Sequence, residues 1–294
     1  MAQLLVMPPA PSTMYALDPA MPVLLRPDGS VQVGWDPRRA VLVRPPGGLT
    51  AAQLAALLRS MRSPTPLAEL QRLAGDRGSV AAAGLANLVG QLVGAGVATR
   101  GDQPSSRARA ASIRVHGSGP LSDLLLEALH RSGARIAQSS QPHAAVTPDA
   151  VDLVVFADYL VADPRIVRDL HTQGVAHLPV RVRDGTGLVG PLVIPHVTSC
   201  LACADLHRSD RDPAWPAIAA QLRDTVGVAD RATLLATAAL ALSQVNRVIA
   251  AVRGHDSAPD APAALNATLE FDVNAGSIVA RQWTRHPLCS LCSC

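Results

Sequence analysis

Apolar and polar positions change rhythm near residue 110. Before it, short alternating runs come first: Pro22–Arg26 reads as extended, and Val31–Val33 alternates after the turn Pro27-Asp28-Gly29. Ala40–Arg44 reads as a third strand after the turn Asp36–Arg39. Helical spacing follows. Thr50 is a natural N-cap for Ala51–Met61, and Thr65 with Pro66 opens Leu67–Leu73. Val80–Gly94 places Leu85, Leu88, Val89 and Leu92 on one face, and Val97–Thr99 reads as a short strand. Residues 20–100 thus predict a winged-helix-like unit of three strands and three helices, after a Pro-rich arm over residues 1–20.

Residues 101–111 are polar and read as a linker. Over 112–294 strands and helices alternate. Strands are expected at Ile113–His116, Ala134–Ala137, Val151–Phe156, His177–Val182 and Gly187–Ile194. Helices are expected at Pro120–Arg131, Asp163–Gln173 and Asp230–Val252. Residues 138–148 read as loop, and Ala263–Asp272 with Ser277–Trp283 as a late strand pair. This is the pattern of a doubly wound, Rossmann-like parallel sheet.

Composition narrows the chemistry. The 294 residues are 48% hydrophobic, with three Trp, two Tyr and two Phe, so the cores are aliphatic. All 26 basic residues are Arg, which excludes a P-loop lysine and any Schiff-base lysine. Glu69, Glu127 and Glu270 are the only glutamates. A net charge of +3 argues for neither a nucleic-acid nor a membrane partner. The most apolar stretch, Ala232–Val252, is interrupted by Ser243, Gln244, Asn246 and Arg247, so no membrane span is expected. The N-terminus does not read as a secretory signal, and the expected location is cytoplasmic.

Cys200-x-x-Cys203 and Cys289-x-x-Cys292 are two paired knuckles, and Cys294 ends the given sequence. A two-residue spacer lets both thiolates of a knuckle face one ion, and four sulfurs suit tetrahedral zinc. Such a closed site is structural. Cys292 is preferred over Cys294 as fourth ligand, because Cys-x-x-Cys is the sterically easier knuckle. Arg208, Arg211, Arg281 and Arg285 lie near enough in sequence to offset its charge. Disulfides or separate buried thiols are the alternatives, and a redox dithiol is disfavoured because both pairs lie in the same half and neither visibly opens a helix of a thioredoxin-type unit. Asp205, His207, Arg208 and Asp212 form a polar cluster beside the first knuckle. It reads either as a general-base or anion site or, preferably, as support for the zinc, with Trp215 a packing anchor.

His116-Gly117-Ser118-Gly119-Pro120-Leu121-Ser122 lies between a strand and a helix, where a phosphate loop belongs. The match is incomplete. The third glycine is Ser122, Pro120 removes a donor, and no acid follows the second strand to hold a ribose. A tight turn explains the same residues.

Together, the Gly117-x-Gly119 loop, the strand Asp152–Asp158, the segment Gly187–Pro195 and the paired knuckles resemble the ThiF/MoeB superfamily of ubiquitin-activating-like adenylyltransferases. Val189–Val193 and Asp205–Pro216, with its Asp-Pro-x-Trp-Pro run, are similar to the actinobacterial cyclodehydratase branch that binds the leader peptides of modified microcins. Pro22–Ala40 is similar to that branch's PqqD-like peptide-recognition element.

The resemblance implies a Rossmann-like ThiF-type α/β domain with structural zinc at Cys200, Cys203, Cys289 and Cys292. It implies a homodimer, and a peptide delivered to a partner enzyme of the YcaO cyclodehydratase type. The peptide would add to the edge Ala40, Val41, Leu42, Val43 and press on Leu85, Leu88, Val89 and Leu92. For each of those last four residues taken singly, packing the core is the preferred reading, and the edge pairing is the firmer part of the expectation. Asp158 falls near the family's magnesium-linked aspartate, yet the family's phosphate-gripping Lys and its Asn-x-x-Arg segment are missing, so Gly117, Gly119 and Asp158 read as a degenerate nucleotide loop and ATP is not expected. The alternatives are an ATP-dependent adenylyltransferase activating a carboxylate and a winged-helix DNA binder. The latter is weakened by nine Arg against six acids in residues 1–104.

Overall fold

The computed structural model describes residues 13–74, 79–102, 109–140, 151–254 and 261–292. The chain divides into two compact units, Met1–Arg107 and Ala108–Cys294.

In the first unit, β2 (Val23–Leu25), β3 (Val31–Val33) and β4 (Val41–Val43) form the expected antiparallel sheet, with Leu24, Gln32 and Leu42 in one cross-strand row. The opposite face buries Val23, Val31, Val33 and Val43 against the helices. Helix α1 (Ala51–Ser60) starts where its cap predicts. Thr50 Oγ1 accepts from the Gln53 N–H at 3.3 Å, and the Gln53 side chain accepts from the Thr50 N–H at 3.0 Å. Helices α2 (Leu67–Ala74) and α3 (Ser79–Gly94) follow.

A second small sheet was not expected. β1 (Thr13–Leu17) pairs with β5 (Thr65–Pro66) and β6 (Ala98–Asp102), so the end of the supposed arm is a strand. Its partner β6 lies some 80 residues away, beyond any local pattern.

The second unit is built on one mixed seven-stranded sheet, ordered β13-β12-β11-β10-β9-β7-β8. The four strands β8 (Arg135–Ser139), β7 (Ser112–His116), β9 (Leu153–Ala157) and β10 (Ala176–Arg183) run parallel. β11 (Thr186–Val189), β12 (Ala267–Asp272) and β13 (Ser277–Gln282) add antiparallel. The expected parallel arrangement therefore holds for four of the seven strands. The reason is the turn Asp184-Gly185, whose two residues take φ of 51° and 77°. That tight hairpin geometry forces antiparallel return.

Helices α4 (Pro120–Leu129) and α8 (Arg231–Val252) pack on the sheet. By length and mean hydropathy α8 is sufficient to cross a membrane, because its four polar interruptions are diluted by alanine and leucine. It instead buries Leu234, Ala238, Ala241, Val245 and Ile249 in the unit's core. Helices α5 (Pro164–Thr172), α6 (Leu201–Arg211) and α7 (Trp215–Leu222) complete the unit. α7 was not anticipated, although Pro216 in its first turn is a standard start signal.

One core group carries a testable charge penalty. His177 on β10 is fully buried; its Nδ1 lies 3.1 Å from the Val175 carbonyl, and its Nε2 has no partner among the described residues. Burial pushes the imidazole down to about 4, so it folds neutral. Below about pH 6.5 the unfolded chain takes up a proton that the folded chain refuses. Stability is therefore complete above that pH and is expected to fall by roughly 3 kcal/mol on going to pH 4 through this group alone. Urea unfolding of the wild type and His177→Leu at both pH values checks this, the variant losing less on acidification.

Candidate functional site

The first knuckle sits at the start of α6. Cys200 is the N-cap residue and Cys203 lies in the first turn, so this pair opens α6. Cys289 and Cys292 come from the tail beyond β13. The Sγ atoms lie 3.7 Å apart for Cys200–Cys203, and 3.5 Å apart for both Cys200–Cys289 and Cys203–Cys292. All four fall within 4.8 Å of one another. A disulfide needs about 2.05 Å, whereas the edge of a zinc–thiolate tetrahedron with bonds of about 2.3 Å is about 3.8 Å. The donor set thus fits one tetrahedral, sulfur-loving divalent ion. Cys294 lies outside the described residues.

Burial opposes ionisation of Cys200 and Cys292. It raises Cys200 far above its ordinary value and pushes Cys292 up to about 11. For Cys203 burial also opposes ionisation, but backbone N–H groups of His286 and Cys200, with the neighbouring thiols, bring it below its ordinary value. The nearby arginines are engaged elsewhere. Arg281 pairs with Glu270 at 2.9 Å, and Arg285 donates to the Val197 carbonyl at 3.0 Å. Arg208 and Arg211 lie over the Trp283 ring, at 4.9 and 5.8 Å.

The polar cluster beside the knuckle splits in two. Asp205 accepts from Arg208 at 2.8 Å and from the Trp215 indole at 3.1 Å. His207 instead meets His286, whose Nε2 is 2.9 Å from Asp210. His207, Asp210 and His286 form a second close group that sequence reading missed, since 76 residues separate Asp210 from His286. Each of their facing atoms already has a protein partner: Asp210 for His286, and the Thr284 carbonyl at 3.1 Å for His207.

The glycine loop is filled by the protein itself. Asp158, at the end of β9 and 1% exposed, accepts from the N–H groups of Leu121 at 2.8 Å and Ser122 at 3.1 Å. These are the donors that a helix N-terminus would offer a phosphate. The Gly119 N–H donates to Ser122 Oγ at 2.9 Å, and the Gly117 N–H to the Ser139 carbonyl at 2.9 Å. Pro120 has no N–H to offer. A Cβ at Gly119 would sit 2.8 Å from the Asp158 carboxylate, and one at Gly117 would overlap the Ala157 carbonyl. Both glycines are therefore explained by close approach of β9. Asp158 adopts φ of 75°, a conformation that aspartate tolerates better than most residues.

In the first unit, Ala40 leads into the edge strand β4, on which Val43 is buried and Leu42 is 59% exposed. Leu85, Leu88, Val89 and Leu92 are all buried in the unit's core, at 8% exposure or less. That corrects the expectation of a groove on α3: the helical stripe packs inward. On the sheet Leu24, Leu25 and Leu42 are exposed, as are Trp35 between β3 and β4 and Leu73 on α2.

The second unit thus combines a seven-stranded mixed sheet with a four-sulfur cluster. No protein-family model and no curated protein sequence matches the chain. Among solved structures it is similar to the heterocyclase TruD, with a TM-score of 0.63 at 16% identity, covering 95% of this chain and 43% of that one. A heterocyclase in complex with substrate and cofactor gives 0.64 at 15% identity over 96% and 40% of the two chains. Escherichia coli MccB with ATP gives 0.54 at 13% identity over 95% and 99%. The chain spans about two-fifths of the length of these heterocyclases. At such identities the likeness establishes the fold.

Proposed function

We propose that this chain is a non-catalytic, zinc-stabilised ThiF-like scaffold. It binds a peptide segment at the edge of β4 and presents it to a partner enzyme of the cyclodehydratase type. The observation that carries this reading is Asp158, which occupies with its own carboxylate the donors an adenylating enzyme needs for ATP. A phosphoryl-transfer centre depends on cations placed around those phosphates, and the loop has no lysine to supply one. The fold shared with a heterocyclase solved with its substrate supports the peptide-modifying setting.

An incoming strand gains main-chain hydrogen bonds along β4, and its side chains lie over the row Leu24–Gln32–Leu42 rather than on α3. The zinc ion at Cys200, Cys203, Cys289 and Cys292 ties the start of α6 to the tail, and its chemistry is structural. The same reading includes a homodimer, which light scattering reports directly.

Capture from a lysate of the native host, with cross-linking to place the bound segment, identifies client and partner together. Cross-links are expected at residues 40–43. Leu42→Arg is expected to weaken capture about tenfold without changing the melting temperature, because Leu42 is exposed. Cross-links confined to the second unit, or AMP transfer to the client by this chain alone, would overturn the proposal.

A further inference from the structure

A cavity of about 600 Å³ lies in the second unit between the sheet and α5–α7. It is separate from the glycine loop, none of whose residues line it. Its size is that of a small-ligand site. Its walls are aliphatic, Leu160, Val167, Leu188, Leu201 and Leu222 among them.

The charge inside is unbalanced. Seven arginines and three carboxylates line the space. The carboxylates are already committed. Glu270 lies 2.9 Å from Arg281 and 3.7 Å from Arg183. Asp205 is held by Arg208 and the Trp215 indole, and Asp212 accepts the Ala214 N–H at 3.0 Å. Arg181, on the central strand β10, is half-buried and lines the cavity, and its side chain makes no hydrogen bond or ion pair among the described residues. Burial, reinforced by the neighbouring Arg208, pulls its guanidinium down to about 10, still charged at neutral pH. The attraction of Asp205 that it feels is already shared with Arg208, and a guanidinium fork matches carboxylate and phosphate oxygens. Arg208 is already held in place, 5.2 Å from the Trp215 ring and 4.9 Å from Trp283.

We propose that this cavity binds a small anionic ligand, a carboxylate or phosphate monoester on an apolar body, with Arg181 as its principal anchor and Arg208 beside it. The site is independent of the peptide-scaffold reading, since it shares no residue with β4 or the glycine loop.

Three probes test it on the full, metal-loaded chain: 4-phenylbutyrate, phenyl phosphate and the uncharged 4-phenylbutyramide. Binding is followed by calorimetry and by the indole N–H signals of Trp215 and Trp283, with Trp35 of the first unit as internal reference. At least one anion is expected to shift both cavity indoles saturably and to bind about tenfold or more tightly than the amide. Which anion does so separates a carboxylate from a phosphate ligand. Arg181→Gln is expected to lose about the same factor while keeping its zinc content. Equal binding of the amide, binding by Arg181→Gln equal to wild type, or no shift by any probe up to roughly 10 mM would each overturn the proposal. The comparison of anion with amide on the wild type holds even if the variant fails to fold.

Discussion

Cys203→Ser is expected to abolish stoichiometric zinc and to lower the melting temperature of the second unit by more than about 10 °C. Cys203 is buried in the first turn of α6 and lies 3.7 Å from Cys200 and 3.5 Å from Cys292, so it joins both knuckles. Without the ion the tail after β13 loses its main tie to α6. The remaining buried thiols would face one another at non-bonded distance. Binding in small zinc peptides is worth about 10–16 kcal/mol in apparent terms. A folded domain retains much of its structure without metal, so an effect of about 5 kcal/mol is the scale to expect. Elemental analysis of freshly purified protein, followed by thermal unfolding with and without chelator, measures both. Cys294→Ser serves as the control and is expected to leave metal content unchanged. A metal-free wild type, or a Cys203→Ser variant as stable as its parent, contradicts the structural zinc site.

The second large effect concerns the loop. Wild-type protein is expected to give no heat with MgATP. Asp158→Ala is expected to lose about 2–4 kcal/mol, because two N–H donors at the start of α4 are left unpaired in a buried, electropositive position. Acetate or inorganic phosphate is then expected to raise the variant's melting temperature more than the wild type's, by re-occupying those donors. Magnesium-dependent ATP binding by the wild type would show that Asp158 yields its place to a phosphate, and would favour the adenylyltransferase reading.

Sequence legibility followed the range of the interaction. The Thr50 N-cap and the helical spacing in α3 are each written within a few residues, and the elements appeared where those signals put them. The use of each apolar face was not written there. Leu85, Leu88, Val89 and Leu92 have the same spacing whether they pack a core or line a groove, and only their neighbours' positions make them core. β1 escaped notice because its identity depends on β6, paired at residues such as Tyr15 and Arg100.

By itself, the sequence determined that two knuckles exist, that lysine chemistry is absent, and that a strand–glycine–helix turn opens the second unit. Two-residue spacers and turn conformations are local properties of a chain. The tertiary structure alone decided that sulfurs 89 residues apart share one tetrahedron. It also set Asp158 against a helix end 36 residues earlier, and gathered seven arginines around one cavity. Those outcomes depend on strand register and on which faces meet across the sheet, and spacing along the chain does not encode either.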